Sequence, residues 1–255
     1  MKIAHETRGV GEPLVLVHGL AYDRYGWGRL PDLLAERFRV VLIDNRGVGE
    51  SDAPPGPYSV AEMAADVVGV LDELGIERTN LFGVSLGGYI AQELALTRPE
   101  RVEKLVLCST APGGPKSVPM PAATQEAFAR YPAMEREAGL RMFVENSLGA
   151  RGVRDLPELA EEIFQYRLGH APTVEAWMAQ ATAGATFDAY DRIAAIEVPT
   201  LVVHGGADVV VDPGNAALLG ERIPHARVEL VPDRGHLMIW EDSERVAELV
   251  LEFLS

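Results

Sequence analysis

The chain has 255 residues, enough for one α/β domain or one domain with a sizeable insertion. Its formal net charge of −15 would repel nucleic-acid phosphates and anionic lipid surfaces, so we expect neither nucleic acid nor a membrane as a partner. The amino terminus lacks a signal-peptide core and no run approaches the ~20 apolar residues of a membrane span, which predicts a cytoplasmic protein.

Six short runs rich in Val, Leu and Ile predict strands that are covered on both faces. In chain order they are residues 13–19, 38–44, 79–85, 104–110, 199–205 and 226–232. Segments with helical spacing lie between most of them. In one such segment Ser59 and Glu62 fit a capping box, and Gly75 fits a carboxy-terminal cap. Alternating strands and helices predict an α/β fold with a mostly parallel sheet.

The interval 111–190 breaks this alternation. It holds no convincing strand, and helical spacing recurs at 122–138, 157–168 and 173–183. Because the interval is too long for a structureless loop, we predict a helical insertion there, within a core formed by residues 1–110 and 191–255. Its many Phe, Tyr, Trp and Met side chains are expected singly to pack within the insertion and together to form an apolar lid.

The sequence GVSLGG at residues 83–88 puts Ser85 between glycines, where a predicted strand gives way to a helix. A Gly-x-Ser-x-Gly pattern alone is weak, but a strand–turn–helix context is typical of a nucleophile elbow. The glycines would let strand and helix approach around a sharp turn. The helix amino terminus would offer backbone N–H groups to a developing anion.

A serine hydroxyl needs a base to take its proton, and the base needs an orienting acid. Asp208 follows one predicted strand, and His236 follows the last one. The order Ser85, Asp208, His236 is the chain order of α/β-hydrolase triads. The backbone N–H groups of Leu20 and Leu86 are the candidate donors to an oxyanion.

Metal and cofactor chemistry find little support in the sequence. Cys108 is the only cysteine, and its apolar run predicts a buried strand residue. His18 and His204 sit at strand ends before glycine and are expected to have structural roles. We therefore predict no metal site and no cofactor.

Five motifs resemble those of α/β-hydrolase fold enzymes with a helical cap, over essentially the whole chain. They are HGLAYDRYGW, DNRGVGESD, GVSLGG, HGGAD and GHLMIWE. The resemblance implies a mainly parallel eight-stranded sheet flanked by helices, with Ser85 as nucleophile, His236 as base and Asp208 as its orienter. It also implies that the amides of Leu20 and Leu86 form the oxyanion hole, while DNRGVGESD is expected to be a structural loop.

A serine at position 85 disfavours the dehalogenases and epoxide hydrolases of this fold, which use aspartate there. The HGGG loop of some lipases and the usual loop of carbon–carbon bond hydrolases are absent. The pattern most resembles small carboxylesterases and enol-lactonases, although no polar cluster for binding a carboxylate is evident.

We therefore expect a serine hydrolase that cleaves small or medium carboxylic esters or lactones through an acyl-enzyme. Perhydrolase (haloperoxidase-like) or thioesterase activity on the same triad, or a slow-turnover ligand-binding receptor, are the alternatives, and the oligomeric state stays open. A mostly apolar pocket is expected around Phe143, Trp177, Val210 and Leu237.

Overall fold

Seven strands form one sheet in a computed structural model of the chain, which describes residues 1–148 and 152–255 in full and residues 149–151 only as part of a helix. The strands are β1 (His5–Arg8), β2 (Glu12–Val17), β3 (Phe38–Ile43), β4 (Thr79–Val84), β5 (Val102–Cys108), β6 (Thr200–Gly205) and β7 (Arg227–Val231). Their order is β1-β3-β2-β4-β5-β6-β7. β1 runs antiparallel to β3, and all the other neighbouring pairs are parallel.

Ten α-helices accompany these strands in the described residues. They are α1 (Leu30–Ala35), α2 (Val60–Glu73), α3 (Leu86–Thr97), α4 (Ala122–Arg130), α5 (Arg136–Asp155), α6 (Pro157–His170), α7 (Val174–Thr186), α8 (Gly214–Arg222), α9 (Met238–Glu241) and α10 (Ser243–Leu254). None of the described helices combines the length and the apolar composition that a membrane span requires.

The predicted mostly parallel sheet is confirmed, with seven strands where the resemblance implies eight. Each of the six predicted runs overlaps one strand from β2 to β7. The sequence did not predict β1, because this strand is a short polar segment, HETR, at the antiparallel edge of the sheet. A search for apolar runs finds strands that are covered on both faces and passes over a partly exposed edge.

Side-chain alternation along the strands builds a core on each face of the sheet. In β2, Val15 and Val17 belong to one apolar cluster together with side chains of α2, α3 and α8, whereas Leu14 and Leu16 belong to a second cluster together with side chains of α1 and α10. This follows from the period of two in a strand, which sends successive side chains to opposite faces. Helices therefore cover both faces of the sheet.

The predicted caps of α2 are confirmed. The Ser59 side chain accepts from the Glu62 N–H, and Glu62 Oε2 accepts from the Ser59 N–H at 2.9 Å. Gly75 follows the helix at φ 64°, in the left-handed region that favours glycine. Local sequence alone thus fixes both ends of this helix.

Residues 111–190 contain helices α4 to α7, which we call the helical segment. The predicted helix at 122–138 is wrong in its extent, because a 3-10 turn at Tyr131–Ala133 separates α4 from α5. Pro132 lies in this turn, and proline interrupts a helix by removing an N–H donor. An isolated bridge between Gly113 and Asp188 brings the two ends of the segment together.

Two glycines provide a test of the packing between β2 and α3. A Cβ at Gly87 would lie 1.9 Å from the Val17 carbonyl oxygen, whereas a Cβ at the exposed Gly69 of α2 meets nothing within 4 Å. We expect Gly69→Ala to raise the free energy of unfolding by about 0.5–1 kcal/mol, since alanine is the better helix former. Gly87→Ala should lower it by ~3 kcal/mol or more, because backbone atoms have to move. Denaturant titration measures the free energy of unfolding of both variants. Equal changes in Gly69→Ala and Gly87→Ala would contradict this packing.

Candidate active site

Ser85 occupies a strained turn between β4 and α3. Its backbone has φ 54° and ψ −118°, which residues other than glycine rarely adopt. Hydrogen bonds hold this conformation, because the Ser85 N–H donates to the Cys108 oxygen at 3.0 Å and Thr110 Oγ1 donates to the Ser85 oxygen at 2.8 Å. The sharp turn leaves the serine side chain partly exposed in a cavity at the carboxyl edge of the sheet.

Close backbone contacts surround this serine. A Cβ at Gly83 would lie 2.2 Å from the Gly87 oxygen, and a Cβ at Gly19 would lie 3.0 Å from the Ser85 Cβ. Glycine at these positions lets α3 and the loop after β2 approach the turn. This is the close approach that the glycines of GVSLGG were predicted to allow.

Asp208 and His236 form a buried pair. His236 Nδ1 lies 2.8 Å from Asp208 Oδ2, and Asp208 Oδ1 accepts from the backbone N–H groups of Val210 and Val211 at 2.8 and 2.9 Å. His204, expected to be structural, lies with Nε2 3.2 Å from Asp208 Oδ2 and 3.0 Å from the Val211 oxygen.

The carboxyl group of Asp208 is held ionised. Burial alone would raise its pKa, but the charge of His236 and hydrogen bonds from His204 and His236 outweigh burial and keep the pKa below the usual range. An ionised Asp208 favours a proton on His236 Nδ1. The other ring nitrogen of His236 is then free to accept a proton in the cavity.

The backbone of His236 is held by the helical segment. The His236 and Leu237 N–H groups both donate to the Ser147 oxygen of α5, at 2.7 and 3.3 Å. His236 and Ser85 line the same cavity, and these two described residues are not joined by a hydrogen bond. Such bonds are often long in unliganded enzymes and shorten when substrate binds.

The two candidate oxyanion donors lie beside Ser85. Leu86 is the first residue of α3, so no carbonyl of the helix can accept from its N–H, and the positive end of the helix dipole lies there. Leu20 lies in a turn closed by a 3.4 Å hydrogen bond from the Tyr22 N–H to the Gly19 oxygen. Leu20 and Leu86 both line the cavity.

The cavity has a volume of about 340 Å³ and is mainly apolar. Phe143, Trp177, Val210 and Leu237, the four residues expected to form a pocket, all line it. Phe143 and Trp177 come from the helical segment and each contacts Tyr131, with ring centroids 4.6 and 4.8 Å apart. A cavity of this size suits a small ligand.

Arg167 and Gln180 are among the polar side chains of the cavity lining that were not predicted from the sequence. Arg167 of α6 is 2% exposed, donates to the Ala21 oxygen and lies over the Tyr22 ring at 4.3 Å; its Nε has no hydrogen-bond partner among the described residues. Gln180 of α7 is fully buried. The available signal for Arg167 was its position four residues after Ile163, on the buried face of α6.

The remaining candidates have structural surroundings. Burial lowers the pKa of His18 to about 3, so its ring is neutral, and it bonds the Gly26 oxygen and the Gly19 N–H. Burial raises the pKa of Cys108 to about 12, which makes a thiolate unfavourable. Within the described part of the chain, no three His, Cys, Asp or Glu side chains are grouped as metal ligands would be.

Residues 12–243 match the sequence model of the α/β hydrolase fold. The chain belongs to this family. It is 35% identical over 271 residues to the 2-hydroxy-6-oxononadienedioate/2-hydroxy-6-oxononatrienedioate hydrolase of Burkholderia vietnamiensis, covering 100% of this chain and 91% of that protein.

Two solved structures of named hydrolases are similar to this chain. A thermophilic esterase from Thermogutta terrifontis has a TM-score of 0.85 and 32% identity, with 99% of this chain and 92% of that chain covered. An enol-lactonase from Burkholderia xenovorans has a TM-score of 0.88 and 26% identity, with 99% and 96% covered. The family and these relatives identify the protein as a hydrolase of the α/β hydrolase fold.

Glu241 of α9 supports the loop that carries His236. Its Oε1 accepts from the Gly235 N–H at 2.9 Å. Burial raises the pKa of Glu241 to about 7, with Asp208 and Asp242 acting in the same direction and the Gly235 N–H and Arg234 opposing it. A neutral Glu241 is therefore favoured in the folded protein below about pH 7.

The raised pKa of Glu241 predicts a pH-dependent stability. An unfolded Glu titrates near ~4.3, so the folded state binds more protons between about pH 4 and 7 and loses stability as the pH rises through that window. A glutamine side chain cannot ionise but can still accept from Gly235. We therefore expect the melting temperature of Glu241→Gln minus that of wild type to increase by roughly 2–6 °C between pH 5 and pH 8. A difference in melting temperature that stays constant over this pH range would contradict the raised pKa of Glu241.

Proposed function

We propose that the protein is a serine hydrolase that cleaves small or medium carboxylic esters or lactones through an acyl-enzyme, without a cofactor. The observation that carries this proposal is the common cavity of Ser85 and the Asp208-bound His236. A serine on a strained turn at a helix amino terminus, facing a histidine oriented by an ionised carboxylate, has the parts that acyl transfer requires. The esterase and the enol-lactonase among the similar structures support the same substrate class.

The chemistry follows from these positions. His236 Nε2 takes the hydroxyl proton of Ser85 as Oγ attacks the substrate carbonyl carbon, and the carbonyl oxygen becomes an oxyanion. The Leu20 and Leu86 N–H groups donate to that oxyanion. When the intermediate collapses, the leaving oxygen takes the proton from His236. Water then repeats the sequence on the acyl-enzyme, releasing the acid and restoring Ser85.

The helical segment 111–190 is proposed to be a cap on a core formed by residues 1–110 and 191–255. It supplies Phe143 and Trp177 to the wall of the cavity, and both are less than a tenth exposed. Packed aromatic rings limit the length of an acyl chain without making polar contacts to it. An apolar wall of this kind discriminates by only about 1–3 kcal/mol per methylene, which predicts a broad profile with a short-to-medium optimum.

A second candidate substrate is a keto acid of the kind that the Burkholderia vietnamiensis relative is named for. A compound with that name carries two carboxylates and a ketone but no ester. Arg167 is a buried cation that lines the cavity, and a guanidinium group suits a carboxylate. If the wild-type enzyme hydrolyses such a diacid but no ester or lactone, this second proposal replaces the first.

Two substitutions test the proposed triad. Ser85→Ala and Asp208→Asn should each lower kcat/KM for p-nitrophenyl butyrate by about 10³-fold or more, since the triad acts as a unit. Circular dichroism serves as the folding control. Activity above about a thousandth of wild type in folded Ser85→Ala would rule out Ser85 as the nucleophile.

The wild-type time course separates the remaining alternatives. A hydrolase sustains its rate, whereas a slow-turnover receptor stalls after one equivalent of p-nitrophenol. Matched thioesters, and perhydrolysis in the presence of peroxide, measure the two other activities proposed for the same triad.

A third substitution tests the aromatic wall. Trp177→Ala enlarges the cavity, so the ratio of kcat/KM for the p-nitrophenyl octanoate to that for the acetate should rise by about 10-fold or more. Met178→Ala is the matched control, because Met178 is the next residue of α7 and is half exposed. An unchanged ratio in Trp177→Ala, or loss of acetate hydrolysis in the folded variant, would contradict a specificity-setting cap.

A further inference from the structure

Ala21 follows the proposed oxyanion donor Leu20 and has an unfavourable backbone conformation. It is the third residue of the turn Gly19–Tyr22 and has φ 64°. This is the turn position with positive φ, where glycine is normally preferred. An alanine there costs about 1–2 kcal/mol, so other contacts must hold it in place.

The direction of the Leu20 N–H depends on this turn. The Gly19–Leu20 peptide is trans, and a trans peptide points its C=O and N–H in opposite directions. The bond from the Tyr22 N–H fixes the Gly19 oxygen and hence also the Leu20 N–H. If this turn opened and the bond from the Tyr22 N–H to the Gly19 oxygen were lost, the direction of the proposed donor beside Ser85 would no longer be fixed.

Two buried side chains of the helical segment hold both polar groups of Ala21. Gln180 Oε1 accepts from the Ala21 N–H at 2.8 Å, and Arg167 donates to the Ala21 oxygen. The Gln180 amide is itself fixed, because Nε2 donates to the Arg46 oxygen at 2.7 Å. Gln180 is fully buried and Arg167 is 2% exposed, so water does not compete for these bonds.

We propose that Gln180 is a positioning residue, which together with Arg167 holds the turn Gly19–Tyr22 in the conformation that aims the Leu20 N–H at the oxyanion. The inference rests on the proposed acyl-transfer function and extends it. The helical segment then completes the oxyanion hole, in addition to shaping the cavity. Gln180 does not touch the reacting atoms and acts through Ala21.

The test is Gln180→Met, which keeps the side-chain length and removes both hydrogen bonds. We expect kcat for p-nitrophenyl butyrate to fall by about 10- to 100-fold with KM within about 2-fold, somewhat less than the loss of a whole donor. The affinity for a 1,1,1-trifluoroalkan-2-one, which forms a tetrahedral oxyanion on the serine, should fall in parallel. A purely structural role would lower the melting temperature and leave the ratio of inhibitor affinity to substrate affinity unchanged.

A rescue variant tests whether Gln180 acts through the turn. Glycine adopts positive φ readily, so adding Ala21→Gly to Gln180→Met should restore part of the lost kcat. Gln92→Met is the matched control, since Gln92 is also fully buried and donates to the backbone, but to the Gly88 and Ala111 oxygens. It should lower stability without changing the ratio of inhibitor affinity to substrate affinity.

Gln180→Glu keeps the oxygen that accepts from Ala21. Burial favours the protonated carboxyl group, whose O–H can take the place of the amide N–H that donates to the Arg46 oxygen. We expect it to bind the trifluoromethyl ketone within about 3-fold of wild type, and this variant decides the question if Gln180→Met does not fold. Equal losses of inhibitor affinity in Gln180→Glu and Gln180→Met, or an unchanged inhibitor affinity in Gln180→Met, would overturn the inference. If wild type itself does not bind the ketone, the proposed function fails instead, so the two failures are distinguishable.

Discussion

The close approach of three backbone segments around Ser85 is the constraint on which the rest of the site depends. β4, α3 and the end of β2 meet with no side chain between them, because Gly83 and Gly87 leave the space empty. This packing forces the strained conformation of Ser85 and places it at the positive end of α3. Strain of this kind persists only where the surroundings over-determine it, and here the bond from the Ser85 N–H to the Cys108 oxygen of β5 and the bond from the Thr110 hydroxyl to the Ser85 oxygen do so.

A buried carboxylate sets the second requirement of the site. Asp208 is 4% exposed, and an unpaired charge at such a position would be strongly unfavourable. Two backbone N–H groups and two histidines surround it and keep it ionised. The same bonds fix where the carboxylate points. Electrostatic compensation and the orientation of His236 are thus one arrangement.

The helical segment is tied to the proposed catalytic groups more closely than a lid would need to be. None of the three proposed triad residues, Ser85, Asp208 and His236, lies in the segment. Yet the Ser147 oxygen of α5 holds the His236 backbone, and Gln180 of α7 holds the loop of Leu20. A movement of the segment would therefore reach the backbone of His236 and the loop of Leu20 together.

The segment also explains why the cavity is mostly apolar yet contains a cation. Arg167 keeps its guanidinium in the interior by donating to a backbone oxygen and stacking over Tyr22. Its alkyl stem lies on the buried face of α6 with Ile163 and Phe164. The arginine therefore has structural partners and still faces the space where a substrate would bind.

The sequence alone determined the alternation of strands and helices, the caps of α2, and the candidates Ser85, Asp208 and His236, because these follow from local periodicity, local hydrogen bonding and chain order. It missed β1 and the break between α4 and α5, since an exposed edge strand lacks an apolar run and a helical period passes through a short turn. Arg167 and Gln180 lie more than a hundred residues along the chain from Ala21, which they bind. Ser147 lies almost ninety residues from His236. Only the tertiary structure decides such contacts, because nothing in the local sequence of one partner encodes the position of the other.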